Sequence, residues 1–486
     1  MPKSRLAWIR SHSRSRRSYI STLHEGFPAA PLPPLDSLGP RTRPWLTIGA
    51  LIAASVLSLL DRISLSLMVP AIQADLHLSD VQISLLLGLA FSAFYGVAAL
   101  PVGWLVDRTD RRVVVGAGIA LWSVMTAGCG LAGSFGHLFL ARAGVGVGEA
   151  TLQPASQSII ADITPKQDLP WAMTIFGTGA MLGAALAFAL GGAIIGAVSA
   201  LPPLVIPGFG ALAAWQTSFL ALGLPGLAAA PIIALCIREP RITGASRQRI
   251  SDKPADLGPF LRAHATLFVL ILGGVGLLIA SSAASAAWLP KYFLQAFGWK
   301  AGASGLALGA AVLFGTTPGA LTLGWLARAW TSKGRADAAL RVMVLAHLAA
   351  APFVFLPFLM PGPLGFFLVM TPAFVLGAAY VGLGATAVQA MTPQPFRGRV
   401  AAVYLIATGV VGISAGPFFV AALTEKLFAD EAYLGLSIGL TSLVCTAVAV
   451  LLLAMAGPGY RRAMAAQNER LGEQTPAEAG CPSRLT

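Results

Sequence analysis

Apolar residues in this chain come in runs of about twenty, the length that carries a helix through the hydrocarbon core of a bilayer, and polar residues collect in short intervals between them. The runs fall at residues 45–70, 82–106, 113–133, 137–161, 171–197 and 213–237, then at 264–288, 302–327, 340–360, 364–391, 400–424 and 432–456. This pattern predicts twelve transmembrane helices. The Pro-rich stretch 201–208 reads as an external loop rather than a span.

Composition agrees with that pattern. Only 11% of the 486 residues are charged and 56% are hydrophobic, where a soluble chain carries about a quarter charged. The net charge of +13 does not indicate nucleic acid, because the basic residues are dispersed between apolar runs instead of clustered on one surface. Cysteines at 129, 236, 445 and 481 show neither a disulfide framework nor metal-ligand spacing, so no metal or cofactor is expected. No nucleophile motif or phosphate-binding loop indicates an enzyme. Gly144–Glu149 (GVGVGE) is Gly-rich but lies inside an apolar run with no preceding strand.

Basic residues report orientation. With both termini on one side, 28 of 33 Lys and Arg fall on that side, leaving Arg62, Arg142, Lys291, Lys300 and Lys426. The bias places both termini in the cytoplasm of an integral plasma-membrane protein (the inner membrane, if bacterial). The expected organisation is a basic, disordered arm over 1–44 without a signal peptide, a six-helix bundle over 45–237, a cytoplasmic linker over 238–263, a second bundle over 264–456 and a tail over 457–486. The arm's Arg- and Ser-rich start also has the composition of an organelle transit peptide. The halves repeat weakly: Gly103-Trp104-Leu105 recurs as Gly324-Trp325-Leu326, and Thr164-Pro165 as Thr392-Pro393. Parallel repeats of this kind build a central cavity opening to one side at a time.

The segment Gly103-Trp104-Leu105-Val106-Asp107-Arg108-Thr109-Asp110-Arg111-Arg112 resembles the loop signature of the major facilitator superfamily. The resemblance implies an all-α membrane protein of the major facilitator fold, two six-helix bundles around a central cavity. It also implies a gating role for Gly103, Asp107, Arg108, Arg111 and Arg112, which in the family lock the outward-facing state. The second copy departs from the pattern, with Arg328 where an acidic residue belongs. Leu60-Asp61-Arg62, Leu78-Ser79-Asp80, the run Leu140–Ala150, Leu224-Pro225-Gly226, Arg238-Glu239-Pro240 and Trp288-Leu289-Pro290 are together similar to the Spinster-like branch. That branch includes carriers of lysophospholipids and phosphorylated sphingoid lipids, some proton-coupled. Asp168-Leu169-Pro170-Trp171 departs from the basic stretch usual there, which the second half keeps as Arg397-Gly398-Arg399.

Ionisable groups inside a span are costly and are functional candidates by default. Asp61 and Arg62 lie about 24 Å from the start of span one, and on span four Arg142 and Glu149 lie about 8 and 18 Å from its outer end. An Asp61–Arg142 pair with Arg62 nearby is geometrically plausible, and Arg142 and Glu149 share a helix face. A carboxylate beside Arg can alternate between pairing and protonation, and the released Arg can take an anionic head group. A static pair that fixes helix packing is the alternative. Gln153 and Gln157, with Thr386, Gln389 and Tyr404 in the otherwise apolar second half, are candidate cavity lining, and Thr316 and Thr317 join them. His264 and His347 read as interfacial residues, and Trp288, Tyr292, Phe293, Phe297 and Trp299 as an external aromatic belt. The expected function is a monomeric, proton-coupled carrier of an anionic amphiphile such as a lysophospholipid, in contact with membrane lipids. An organic-acid or multidrug carrier and a transporter-like sensor remain open.

Overall fold

The computed structural model describes residues 44–165, 168–208, 210–239, 257–393 and 396–474. The expected arm, most of the linker and the end of the tail lie outside the described residues, as does the Asp107 side chain.

Among the described residues eleven helices are long and apolar enough to cross a membrane. Spans one to three are Pro44–Leu76, Asp80–Val106 and Arg111–Cys129; spans five and six are Trp171–Ser199 and Ala214–Cys236. Spans seven to twelve are Ala265–Phe297, Ala301–Ser332, Ala338–Leu359, Gly362–Ala390, Arg399–Phe428 and Glu431–Ala466. The missing one is span four, which is broken into Phe135–Glu149 and Leu152–Ile163. Pro154 accounts for the break, since its ring cannot pack against the carbonyl four residues back, that of Ala150. The turn tightens there, with the Thr151 N–H donating to the Gly148 carbonyl at 3.2 Å. Twelve crossings result. The stretch expected as an external loop forms a short hairpin, Val205–Ile206 paired with Gly210–Ala211.

Several helices of the second half are also irregular. Span eight contains a π turn at Val312–Thr316, span nine ends in 3-10 turns from Ala351, and span ten breaks after Gly377. Pro318, Pro352 and Pro372 lie at or near these points and remove helix donors.

The buried core explains how the halves meet. At the face carrying the 205–211 hairpin one cluster is shared, with Leu65, Met68, Ile72 and Ile83 of the first half against Ala284, Trp288, Val420 and Ile438 of the second. Towards the opposite face, which carries Asp110, the cores separate: one runs through Ile48, Val115, Ile159 and Ile233, the other through Phe268, Met343, Val388 and Leu453. Spans five and eight join the halves through small residues. A Cβ at Gly309 would lie 2.7 Å from the Ala185 carbonyl oxygen, and one at Gly305 would run into the Phe188 carbonyl.

Candidate functional site

Asp61, Arg142 and Glu149 are buried, at 4%, 1% and 2% exposure, and with half-buried Arg62 they meet in the first half. The pairing differs from the expected one. Arg62 Nη2 bonds Glu149 Oε2, to which Ser58 Oγ also donates at 2.6 Å. Arg142 Nη1 reaches only the backbone oxygen of Asp61, at 3.4 Å, while the Asp61 side chain lies beside Thr126 of span three as well as Arg142. Helix geometry explains the exchange. Residues 61 and 62 point about 100° apart, so they cannot both serve one partner. Span one also runs on to Leu76, beyond the end of its apolar run. Asp61 and Arg62 therefore sit near the middle of the helix, at the level of Glu149 rather than nearer the outer end.

Phe91 of span two completes the cluster. The Arg62 guanidinium carbon stands 4.1 Å and that of Arg142 5.9 Å from its ring centroid, close enough for the ring face to offset part of the cost of burying cations. Several polar atoms of the cluster remain unsatisfied. Arg62 Nε, Thr126 Oγ1, Arg142 Nε and Nη2 and Glu149 Oε1 are buried without a hydrogen-bond partner among the described residues. Arg142 Nε and Nη2 form one edge of the guanidinium fork, the edge that accepts a carboxylate or phosphate with two parallel bonds.

The second half contains a cavity of about 310 Å³ walled mainly by Leu278, Leu289, Val312, Met370 and Phe374, with Ile63 and Phe188 from the first half. Ile63 follows Arg62 on span one, whereas none of Asp61, Arg62, Arg142 and Glu149 lines this cavity. Thr316 lines this cavity as expected, but Gln153, Gln157, Thr386, Gln389 and Tyr404 do not. Thr386 is exposed and turned back onto the Gly382 carbonyl at 2.8 Å, and Gln389 donates to the Arg397 carbonyl at 3.2 Å. His347 is not interfacial. Nine residues beyond Ala338, and so about 14 Å into span nine, it is 4% exposed and lines the cavity. Trp288 and Phe293 are fully buried, and Phe293 packs on Phe366 with centroids 5.3 Å apart; these rings form core rather than a lipid-facing belt.

The loop signature holds the first half together at the Asp110 face. Arg111 is fully buried, with Nε and Nη2 on the two oxygens of Glu239 and Nη1 on Asp162 at 2.7 Å and Ser158 at 2.9 Å. This ties the starts and ends of spans three, four and six. Asp110 caps span three by accepting from the Arg112 N–H at 2.9 Å, and hydrogen bonds from the Arg112 side chain hold its carboxyl below the usual range. Arg108 stacks on Trp104 at 4.1 Å. Gly103 and its repeat Gly324 face open space, so neither makes a close helix contact here.

At the hairpin face sequence reasoning missed an ion-pair cluster between the halves. Lys291 of span seven lies 2.8 Å from Asp80 of span two, with side chains 4% and 5% exposed, and 3.1 Å from Glu431. Gln73 donates to Asp80 at 2.7 Å, and the Val81 N–H donates to Glu425 at 3.1 Å. Ser79-Asp80 was visible in the sequence as a motif. Its partner was not, because the apolar run ends at residue 288 while the helix continues to Phe297, carrying Lys291 into the interface.

The model of the Major Facilitator Superfamily matches residues 50–417, most of the chain. The chain belongs to this superfamily. It is therefore a transmembrane transporter, as the superfamily's other members are. An MFS-type efflux pump of Mycolicibacterium smegmatis is 26% identical over 81% of this chain and 87% of that one. A probable L-galactonate transporter of Escherichia coli is 28% identical over 58% of this chain and 60% of its own length. Among solved structures, a bacterial homologue of the human lysosomal transporter Spinster, inward-facing and unoccupied, superposes with TM-score 0.66 at 24% identity, covering 87% of this chain and 97% of that one. A D-xylose–proton symporter superposes with TM-score 0.60 at 15% identity, covering 83% and 97%. The major facilitator fold of this chain is thus Spinster-like.

Proposed function

We propose that this transporter carries an organic anion with an apolar body, an amphiphile of the lysophospholipid kind, together with a proton. The observation that carries the proposal is the Arg62–Glu149 pair beside Arg142, whose bidentate edge is vacant; the apolar cavity reached by Ile63 of the same helix supports the apolar body. Glu149, while ionised, occupies Arg62. Protonation ends that attraction, and an arriving carboxylate or phosphate takes its place on Arg62 and on Arg142 Nε and Nη2. The cluster then gains one proton and one negative charge together, so its net charge is unchanged in a site where an unpaired charge costs several kcal/mol. Proton and substrate therefore load and unload as a unit.

With the Asp110 face cytoplasmic, as the distribution of Lys and Arg argues, the described conformation is closed outside by the Lys291 cluster and has separate cores inside. The site then loads or discharges on the cytoplasmic side. Alternating access requires the Asp80–Lys291 contact to part and the Asp110 ends of the halves to approach.

A second reading, a carrier of small organic acids, is favoured by the similarity to the L-galactonate transporter. Competition in reconstituted vesicles separates the two. Inhibition of tracer uptake by lysolipids but not by sugar acids supports the amphiphile, and the reverse pattern overturns it in favour of small acids.

A further inference from the structure

The cavity of the second half contains a titratable group that the exchange at Glu149 does not use. His347 Nδ1 lies 2.8 Å from the Met343 carbonyl of its own helix. The ring also faces the backbone of Gly377 on span ten, where the helix breaks. In an unbroken helix the Gly377 carbonyl would accept from the Val381 N–H; here Val381 donates to Ala378 instead, at 3.0 Å. The chain then passes through Val381 at ψ 110° and Gly382 at φ +83°. A carbonyl released in this way at a cavity wall within the membrane needs another donor, and the imidazole is placed to supply one.

A neutral imidazole has one N–H and an imidazolium has two. Both carbonyls facing the ring are acceptors only, so the neutral ring satisfies one and the charged ring both. We infer that His347 is a proton-binding site of the second half, separate from the charged cluster of spans one and four, whose protonation pins the break of span ten against span nine. Deprotonation gives up one of the two bonds and loosens residues 378–382, which adjoin the cavity wall at Gly377, Ala378 and Tyr380.

The surroundings leave His347 as the one group of the cavity wall whose residue type ordinarily titrates near neutrality. Among the described residues the cavity lining contains no carboxylate, lysine or arginine. Span ten contributes Tyr380, 6.4 Å between ring centroids, and span eleven contributes Tyr404 beyond it. Spans seven, eight and twelve offer the hydroxyls of Ser281, Thr316 and Thr446, and spans one and five offer apolar Ile63 and Phe188. Phenols titrate near pH 10 and hydroxyls not at all in this range, whereas histidine titrates near 6.5.

Hydrogen exchange of the full chain in nanodiscs, without substrate and between pH 5 and 8, tests this. After correction for the intrinsic pH dependence of amide exchange, amides 378–382 are expected to be about fivefold or more better protected at pH 5, with a midpoint that disappears in His347→Gln and persists in Glu149→Gln. A flat wild-type profile overturns the inference without needing any variant. So does a wild-type profile retained in His347→Gln, or one lost in Glu149→Gln, which would assign the titration to the other half. The readout is independent of substrate, so its failure leaves the exchange at Glu149 standing.

Discussion

At the scale of single residues, the sequence announces which charges lie in the membrane but not how they pair. Asp61, Arg62, Arg142 and Glu149 were legible because ionisable residues interrupt apolar runs. Their partners were not, because a depth estimate depends on where each helix ends. Span one continues past its apolar run on Gln73 and Asp75, whose polar ends are satisfied by Asp80 and by the Trp215 Nε1–H at 2.9 Å, and that shifts the register by more than a turn. Arg142 is expected to bind the substrate anion through its vacant edge. Charge-assisted bonds are worth about 1.5–3 kcal/mol, so Arg142→Gln should weaken substrate binding by roughly ten- to a hundredfold; an unchanged Kd in a radioligand assay would remove Arg142 from the site.

A second prediction at this scale concerns acid. Burial would raise the Asp337 carboxyl, but hydrogen bonds from Arg341 and Arg461 bring it below its ordinary value. A carboxyl depressed in the folded state adds stability that is fully present above its unfolded value, about 3.9, and is lost as pH falls through the lower folded value. The link it makes from the start of span nine to Arg461 at 3.1 Å should therefore contribute less as pH falls below about 4 and open once pH passes below the folded value. Thermal unfolding in detergent should show Asp337→Asn less stable than wild type at pH 7, by a margin that shrinks as pH falls below about 4; a margin that does not shrink is inconsistent with this role.

Among elements, all twelve crossings are legible in hydropathy, since a bilayer demands about twenty apolar residues whatever the tertiary contacts. The breaks are less so. Pro154, Pro318, Pro352 and Pro372 mark them, but proline in a membrane helix can also be absorbed with a mild kink, so the sequence does not say which helices are interrupted. Small-residue contacts set how closely spans five and eight approach, and Gly305 has no room for a methyl group. Overpacking of this sort costs about 1–3 kcal/mol. Gly305→Ala should lower the apparent Tm in detergent, while Gly324→Ala, facing open space, should leave it unchanged. Equal effects at the two positions would mean that helix propensity rather than close approach governs the response.

For the whole molecule, alternating access depends on contacts that exist in one state only. We propose Asp80–Lys291 as such a contact, since it joins the halves at the face where they share a core. Truncating one partner of a buried pair costs about 3–5 kcal/mol in the state that contains it, and each 1.4 kcal/mol shifts a two-state population tenfold. Lys291→Met should therefore favour the opposite state, lengthening spin-label distances between the hairpin-face ends of spans two and seven; an unaltered distance distribution would show that the pair is not a gate.

The exchange of proton for pairing at Glu149 is the central element of this account, and proton movement across reconstituted vesicles measures it most directly. With a pH-sensitive dye in the lumen, wild type should move protons whenever transported substrate is added, and Glu149→Gln should exchange substrate across the membrane with no accompanying proton signal. Proton movement in Glu149→Gln at the wild-type ratio to substrate would contradict the account.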